Sequence, residues 1–427
     1  MHCTKIYLFL ILSLTILASS LQGQGTSDNF FYKDFIYFDH IKSVQFGHGN
    51  LQQSFPIIDL NSRGSLSLSF DDMEGGDKIY TYAIVHCTKN WERSELEDIE
   101  YMDGYNGEEI EDFEYSISTI LDYTNYRLRI PNDDLEWNVS GNYVLIIYEG
   151  DDDDKIPVIT RRFMVIENVI TIGVKMENPF NVSLLRTHHK LNFFVTNKNF
   201  RITNPINELY AVVLQNNRWD NAIENVSPKF QTANQIQWNQ TDLITFPAQK
   251  EFRNFDTRTL RSTSEFVHSI DITYDAATVL LHITEPRTNR NFLSDADING
   301  KFILANDDFD NDRVRSEYSE VIFTLDPPYK YDKDIYIIGK FTDWEAREPY
   351  KMRYDEERKV YIGSCTLKQG YYNYLYGMID EDGKISTELL EGNWYETENE
   401  YTVLMYYSEF GARYDRLIGM RTIISSR

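Results

Sequence analysis

Three groups of side chains have the types and spacing to hold a metal ion, and each falls short. His188 and His189 are adjacent, so on a strand they point to opposite faces and cannot chelate one ion. Asp308, Asp310 and Asp312 follow the first ligand positions of a calcium loop. Arg313 then stands where the sharp turn needs Gly, and no Glu falls at the twelfth position. Asp151–Asp154 is an unbroken acidic run between two apolar stretches and reads as a solvated hairpin tip. Eight His occur, without HExxH, GxSxG, GxGxxG, Walker or CxxC patterns. Abundant carboxylates leave a glycosidase-type acid pair open by counting alone, but small β-sandwich blocks give such a pair little scaffold. The chain reads as a non-enzyme, with no catalytic residue, no metal ligand and no cofactor.

A second kind of chemistry is recognition. Gln215, Asn216, Asn217 and Arg218 lead into Trp219, a polar turn capped by an indole. Glu251 to Asp256 alternates aromatic with charged or polar residues. Phe252 and Phe255 therefore cannot share one simple strand face without a bulge or bend. Such a segment is either an Arg–Asp network inside the fold or an exposed Arg/aromatic patch, the composition of binding hot spots. Under the second reading Trp219, Phe252, Arg253, Phe255 and Asp256 are the candidate partner contacts.

The elements that must carry these residues are strands. Ser65–Phe70, Ile79–Cys87, Tyr126–Ile130, Tyr143–Tyr148, Val158–Ile166, Leu191–Val195, Leu209–Leu214, Thr278–Ile283 and Ile335–Gly339 are rich in Val, Ile, Thr, Tyr and Phe and end at turn residues, and the dominant pattern of period-2 alternation reads as antiparallel strands. The fold class is all-β, a tandem array of immunoglobulin-like and early-set β-sandwiches. The expected organisation is a leader at 1–24, a sandwich at 25–168, a middle β domain at 169–326 and a C-terminal sandwich at 327–427. Pro327 and Pro328 supply the last boundary, since consecutive prolines remove donors and restrict their neighbours. Trp137, Gly141 and Tyr143 fit a sandwich corner in which the phenol bonds the backbone.

Lys5 followed by the apolar run Ile6–Leu21 and small residues has the form of a cleaved secretory signal peptide. That run is too short for a spanning helix, which needs roughly 20 residues, and no direct membrane insertion is expected. Loss of 1–24 leaves Cys87 and Cys365, both read as buried free thiols rather than a disulfide framework. Of 427 residues, 42 are basic and 67 acidic, so the net charge is 42 − 67 = −25. That balance excludes a nucleic-acid binder and docking on anionic lipid.

Longer stretches carry a family resemblance. QNNRWDNAI, EFRNFDTRTLRS, YNYLYG and NEYTVLMYYSEFGARYDRLIG, with FEYSISTILDYTNYRLRIPN, SGNYVLIIYE and TRRFMVIEN in the first block, resemble the Plug proteins of the Bacteroidetes type IX secretion system. The resemblance covers nearly all of the mature chain, and the middle block carries its sharpest motifs. It implies a periplasmic protein, associated with the outer membrane, that occludes the periplasmic opening of a large outer-membrane β-barrel translocon. The third block also resembles early-set domains that include glycogen-binding modules, with Trp344 at the position of the sugar-stacking Trp. Leu375 stands where those modules place a Lys, and Lys384 and Ile385 where they place a second Trp. A periplasmic or surface glycan-binding protein using Trp344 is the alternative function.

Overall fold

Two burial patterns divide the strands. Leu66–Asp72 opens by burying alternate residues, Leu66, Leu68 and Phe70, as a strand with one face on a core does. Gly141–Glu149 buries every residue from Gly141 to Tyr148, and Leu209–Gln215 buries all but Tyr210. Strands of this second kind lie inside the molecule with apolar layers on both faces. The computed structural model describes residues 28–425, apart from 50, 151–154, 197–199, 233–234, 240–241 and 311. The expected leader and the Asp151–Asp154 run lie outside the described residues.

Four antiparallel-rich sheets stack face to face. The outermost contains Ile41–His48, Leu66–Asp72, Thr124–Ile130 and Asp112–Tyr115. Against it lies a sheet ordered Phe35–Ile36, Ile156–Ile166, Gly141–Glu149, Tyr80–Cys87 and Glu108–Glu109. Phe70, Leu128, Tyr143, Leu145 and Phe163 pack between the two. The opposite face of that inner sheet, with Val85, Val144, Ile146 and Met164, meets Val212, Leu214, Leu404, Tyr406 and Leu417 of a third sheet. This third sheet is ordered Ile223–Val226, Leu209–Gln215, Glu400–Tyr407 and Arg416–Ile424. Its far face packs on a fourth sheet built on Thr171–Glu177 and His188–Thr196, around Phe193, Trp238, Val403 and Ile418. Three apolar layers thus run continuously through two sandwiches.

The remaining unit is inserted between residues 249 and 392. Eight strands of its ten-stranded sheet run in the order Arg253–Asp256, Gly370–Ile379, Ile335–Ile338, Lys351–Asp355, Val360–Lys368, Tyr318–Leu325, Ala277–Leu281 and Val267–Ile272, and Phe302–Leu304 and Ile385–Ser386 also pair with Gly370–Ile379. Residues 253–325 and 335–379 share this sheet, so the boundary expected at 326/327 falls inside it. Pro327 and Pro328 lie in the connection between Tyr318–Leu325 and Ile335–Ile338, two strands of this one sheet with Lys351–Asp355 and Val360–Lys368 between them, rather than linking two domains. The middle block is likewise completed by residues 400–424 from the far end of the chain. An all-β tandem sandwich array is the fold, but its order in space is not its order in sequence.

The inserted unit is locked to the first sandwich. The Lys368 ammonium donates to Asp71 Oδ2 at 2.7 Å and to the Arg313 carbonyl at 2.8 Å, and the Tyr318 hydroxyl reaches the same carboxylate oxygen at 2.6 Å. Gln52 exchanges two hydrogen bonds with the Leu304 backbone, at 2.8 and 2.7 Å. The Tyr143 phenol donates to the Val139 carbonyl at 2.7 Å, closing the corner of the first sandwich. Cys87 and Cys365 are free and buried.

Candidate partner-binding site

Where the two sandwiches and the inserted unit meet, the chain makes two sharp turns. Asn216 and Asn217 both have left-handed backbones (φ 54° and 57°), a conformation the short amide side chain tolerates. Asp343 and Trp344 repeat it (φ 52° and 59°), although an indole gains nothing there and each such residue costs about 1–2 kcal/mol. These turns, with Arg162, Trp219 and Lys340, wall a cleft of about 450 Å³ whose outer lip is the turn at Gly383, Lys384 and Ile385. A narrower extension reaches inward past Arg161, Gln45 and Phe302.

The strand Ile156–Ile166 places Arg161 and Arg162 on opposite faces. Arg161 lies within 3.3 Å of Asp343 across the unit boundary. Arg162 donates from Nε to the Tyr32 carbonyl at 2.8 Å, and its guanidinium lies 4.3 Å from the Trp91 ring and 5.2 Å from Trp219. Burial lowers its pKa, with Asp34 and Glu224 opposing. Asp34 accepts the Arg162 backbone N–H at 2.7 Å and the Lys340 ammonium at 3.1 Å. Although burial alone would raise the Asp34 carboxyl, these cations hold it below the usual range.

The sequence candidates separate here. Trp219 is half-buried, packs edge-on against Trp91 with ring centres 4.9 Å apart, and does face the cleft. Phe252 and Phe255 do not form a patch. Phe252 precedes the strand and enters a small cluster with Ile338, Trp344 and Leu375, whereas Phe255 stacks on Tyr372 in the core of the inserted unit. No bulge is required, because the two rings serve different cores. Arg253 is buried, not an exposed contact. Its Nε donates to both Glu391 oxygens at 2.9 and 3.3 Å and its Nη2 to the Glu285 carbonyl at 2.7 Å. Burial opposes ionisation of Glu391, but Arg253 and Arg287 outweigh it and bring the carboxyl down to about 2. Asp256 forks onto Arg258 at 3.0 and 2.6 Å. Of the two expectations for this segment, the internal ion network describes Arg253, with Glu391 as the partner.

Trp344 is 6% exposed. The Arg218 guanidinium covers one face at 4.3 Å, and Phe252 meets the ring at a 5.9 Å centroid distance. An indole so covered offers no open platform to a pyranose, which removes the main support for the glycan reading. Leu375, fully buried in the same cluster, fills space rather than binding.

The two histidines also resolve. His189 is buried and its Nε2 meets the Tyr395 carbonyl at 2.6 Å, so Nε2 carries the proton and Nδ1 accepts from the Tyr401 hydroxyl at 2.9 Å. Asp308 accepts from Thr259 Oγ1 at 2.7 Å and the Leu260 N–H at 3.1 Å, stapling a loop. One His/carboxylate group that sequence spacing does not reveal, His40 with Asp72 and Glu74, is close enough for an ion. The Lys78 ammonium stands at 3.1 Å from Asp72 and 2.5 Å from Glu74 and already neutralises it. Arg161 and Arg162 were equally missed. Their one sequence signal is a pair of cations inside an otherwise apolar strand.

The fold and the cleft therefore define a multi-sheet β scaffold with an Arg- and Trp-lined cleft and no converging acid, base and nucleophile among the described residues. Residues 41–167 match the family described as type 9 secretion system plug protein, first domain. The crystal structure of a hypothetical protein from Parabacteroides merdae is 34% identical, with a TM-score of 0.88 over 92% of this chain and 99% of that one. The C-terminal domain of the Streptococcus agalactiae AgI/II polypeptide BspA aligns at 6% identity over 90% of this chain and 99% of that one, with a TM-score of 0.16 that supports no structural comparison. None of the curated proteins matches. The chain belongs to the type 9 secretion system plug protein family.

Proposed function

We propose that the protein is a non-enzymatic plug that occludes the periplasmic opening of the outer-membrane type IX translocon. The observation that carries this reading is the family match of its first sandwich. The fold is suited to the task. A wide aqueous barrel leaks unless something stiff fills its mouth. Four sheets with three continuous apolar layers, tied to the inserted unit by a buried ion pair, resist deformation as one body. No described helix is long and apolar enough to cross a membrane, and the reading places the protein in the periplasm against the outer membrane. A net charge of −25 suits docking against a locally basic rim.

The test is a pull-down of the tagged mature protein from mildly solubilised envelopes of its native host. Co-purification of a giant outer-membrane β-barrel is expected. Recovery without any such barrel would refute the plug reading.

A further inference from the structure

The cleft between the three units is unevenly paired. Each carboxylate on its wall already has a cation: Asp34 has Lys340, Asp343 has Arg161, Asp220 has Arg218, and Glu345 has Lys33 and Arg347. Two cations on the same wall have no carboxylate within 4.0 Å among the described residues, Arg162 and Lys384. Arg162 spends only Nε and its backbone N–H on hydrogen bonds. Both terminal nitrogens are without a protein partner among the described residues, yet neither is sealed from solvent. The guanidinium is held in place by two indoles, so its free edge is oriented in advance.

A planar fork with two free donors matches a carboxylate, which it can take bidentately. Beside it, Trp219 and Ile385 offer apolar surface on the same wall. The cavity of about 450 Å³ lies within the roughly 300–1,000 Å³ of sites that enclose small ligands. We propose that this cleft is a binding site for a carboxylate carried next to an aromatic or aliphatic group, with Arg162 taking the carboxylate, Trp219 the apolar group and Lys384 guarding the mouth. Such chemistry is offered both by a small organic acid and by an acidic residue beside an aromatic one in a peptide. The site is independent of whether the protein closes a translocon.

Calorimetric titration of the whole mature protein tests this with four probes. These are 3-phenylpropionate, its amide, the blocked tripeptide acetyl-Phe-Glu-Phe-amide and the same peptide with Gln for Glu. Saturable binding of at least one carboxylate is expected, with its neutral counterpart at least tenfold weaker. Binding of the peptide alone or the acid alone identifies the source. Arg162→Gln should weaken the carboxylate at least tenfold and bring it level with the amide. Lys384 is an exposed turn residue with no side-chain partner among the described residues, so Lys384→Glu keeps the fold and should weaken the same probe several-fold even if Arg162→Gln does not fold. Equal affinity for acid and amide, no saturable heat with either carboxylate, or unchanged binding in Lys384→Glu would overturn the proposal.

Discussion

Replacing Arg253 by Met is the sharpest test of how the inserted unit is held together. The methionine keeps most of the aliphatic stem and deletes the guanidinium. Glu391, fully buried, then loses the donor that spans both its oxygens and keeps Arg287 Nε at 2.6 Å and the Tyr376 N–H at 3.0 Å. The Glu285 carbonyl loses its 2.7 Å partner as well. Breaking one side of a buried ion pair costs about 3–5 kcal/mol. At about 2.1 cal/mol/K of unfolding entropy per residue, a unit of roughly 140 residues melting alone would lose about 10–17 °C in Tm. If the roughly 400 residues of the whole body melt together, the same loss spreads to about 4–6 °C. Scanning calorimetry therefore reads both the energy and the size of the cooperative unit. Glu391 titrates near 2 folded against an ordinary 4.5. Its pairing thus contributes fully above pH 4.5 and fades as pH falls toward 2. The gap between wild type and variant should be widest near neutrality and narrow below pH 4.5. Arg253→Met/Glu391→Gln should lose less than the sum of its parts, because the stranded anion is gone. A Tm within 1 °C of wild type, at neutral pH, would refute the reasoning.

Other expectations can be checked separately. Lys368→Met strands the buried Asp71 carboxylate and should cost about 3–5 kcal/mol; hydrogen exchange in Leu66–Asp72 and Tyr318–Leu325 should rise together, and unchanged protection in both would contradict it. Gly300 has φ +78°, and a methyl there would sit 2.6 Å from Phe252 Cε1 and closer still to Trp344. Gly300→Ala should cost about 2–4 kcal/mol from backbone strain and overpacking and should increase acrylamide quenching of tryptophan, whereas an identical quenching curve would count against it. Burial pushes the Cys365 thiol up to about 12 and raises Cys87 as well, so Ellman's reagent at pH 8 should label neither until the protein is unfolded in guanidinium. Stoichiometric labelling of the native protein within minutes would show the thiols to be accessible.

The strands and their faces were legible because period-2 alternation is a local property. Tyr143 could be placed at a corner for the same reason. The double burial of Gly141–Glu149 was not read from alternation, although the unbroken apolar run Tyr143–Tyr148 is its mark. Pairing was not legible. Periodicity states which face is apolar, not which strand lies alongside, and Leu209–Gln215 finds its partner in Glu400–Tyr407. Arg253 stayed open between an internal network and an exposed contact for the same reason, since its counter-ion lies 138 residues away. The Pro327–Pro328 turn shows that a strong local breaker separates strands, not necessarily domains. The cleft was half legible. Trp219 stood out by type, whereas Arg162 owes its role to three units converging around it.

The interleaving also dictates an order of assembly. During synthesis Leu209–Gln215 emerges with one edge unpaired and must wait for Glu400–Tyr407 to fill it, after which Arg416–Ile424 pairs beyond. An unpaired strand of that kind is the sort of surface that captures chaperones or aggregates. The inserted unit shortens the wait in an indirect way. Once folded it holds its two ends together, with the Trp394 N–H donating to the Gln249 carbonyl at 2.8 Å. It thereby acts as a clasp, turning a long-range search into a short one. A nascent chain stopped just after residue 395 would carry a first sandwich and a clasp with all their strands but a second sandwich short of two, a form that proteolytic surveillance could tell apart from the complete protein by its incomplete central sheet.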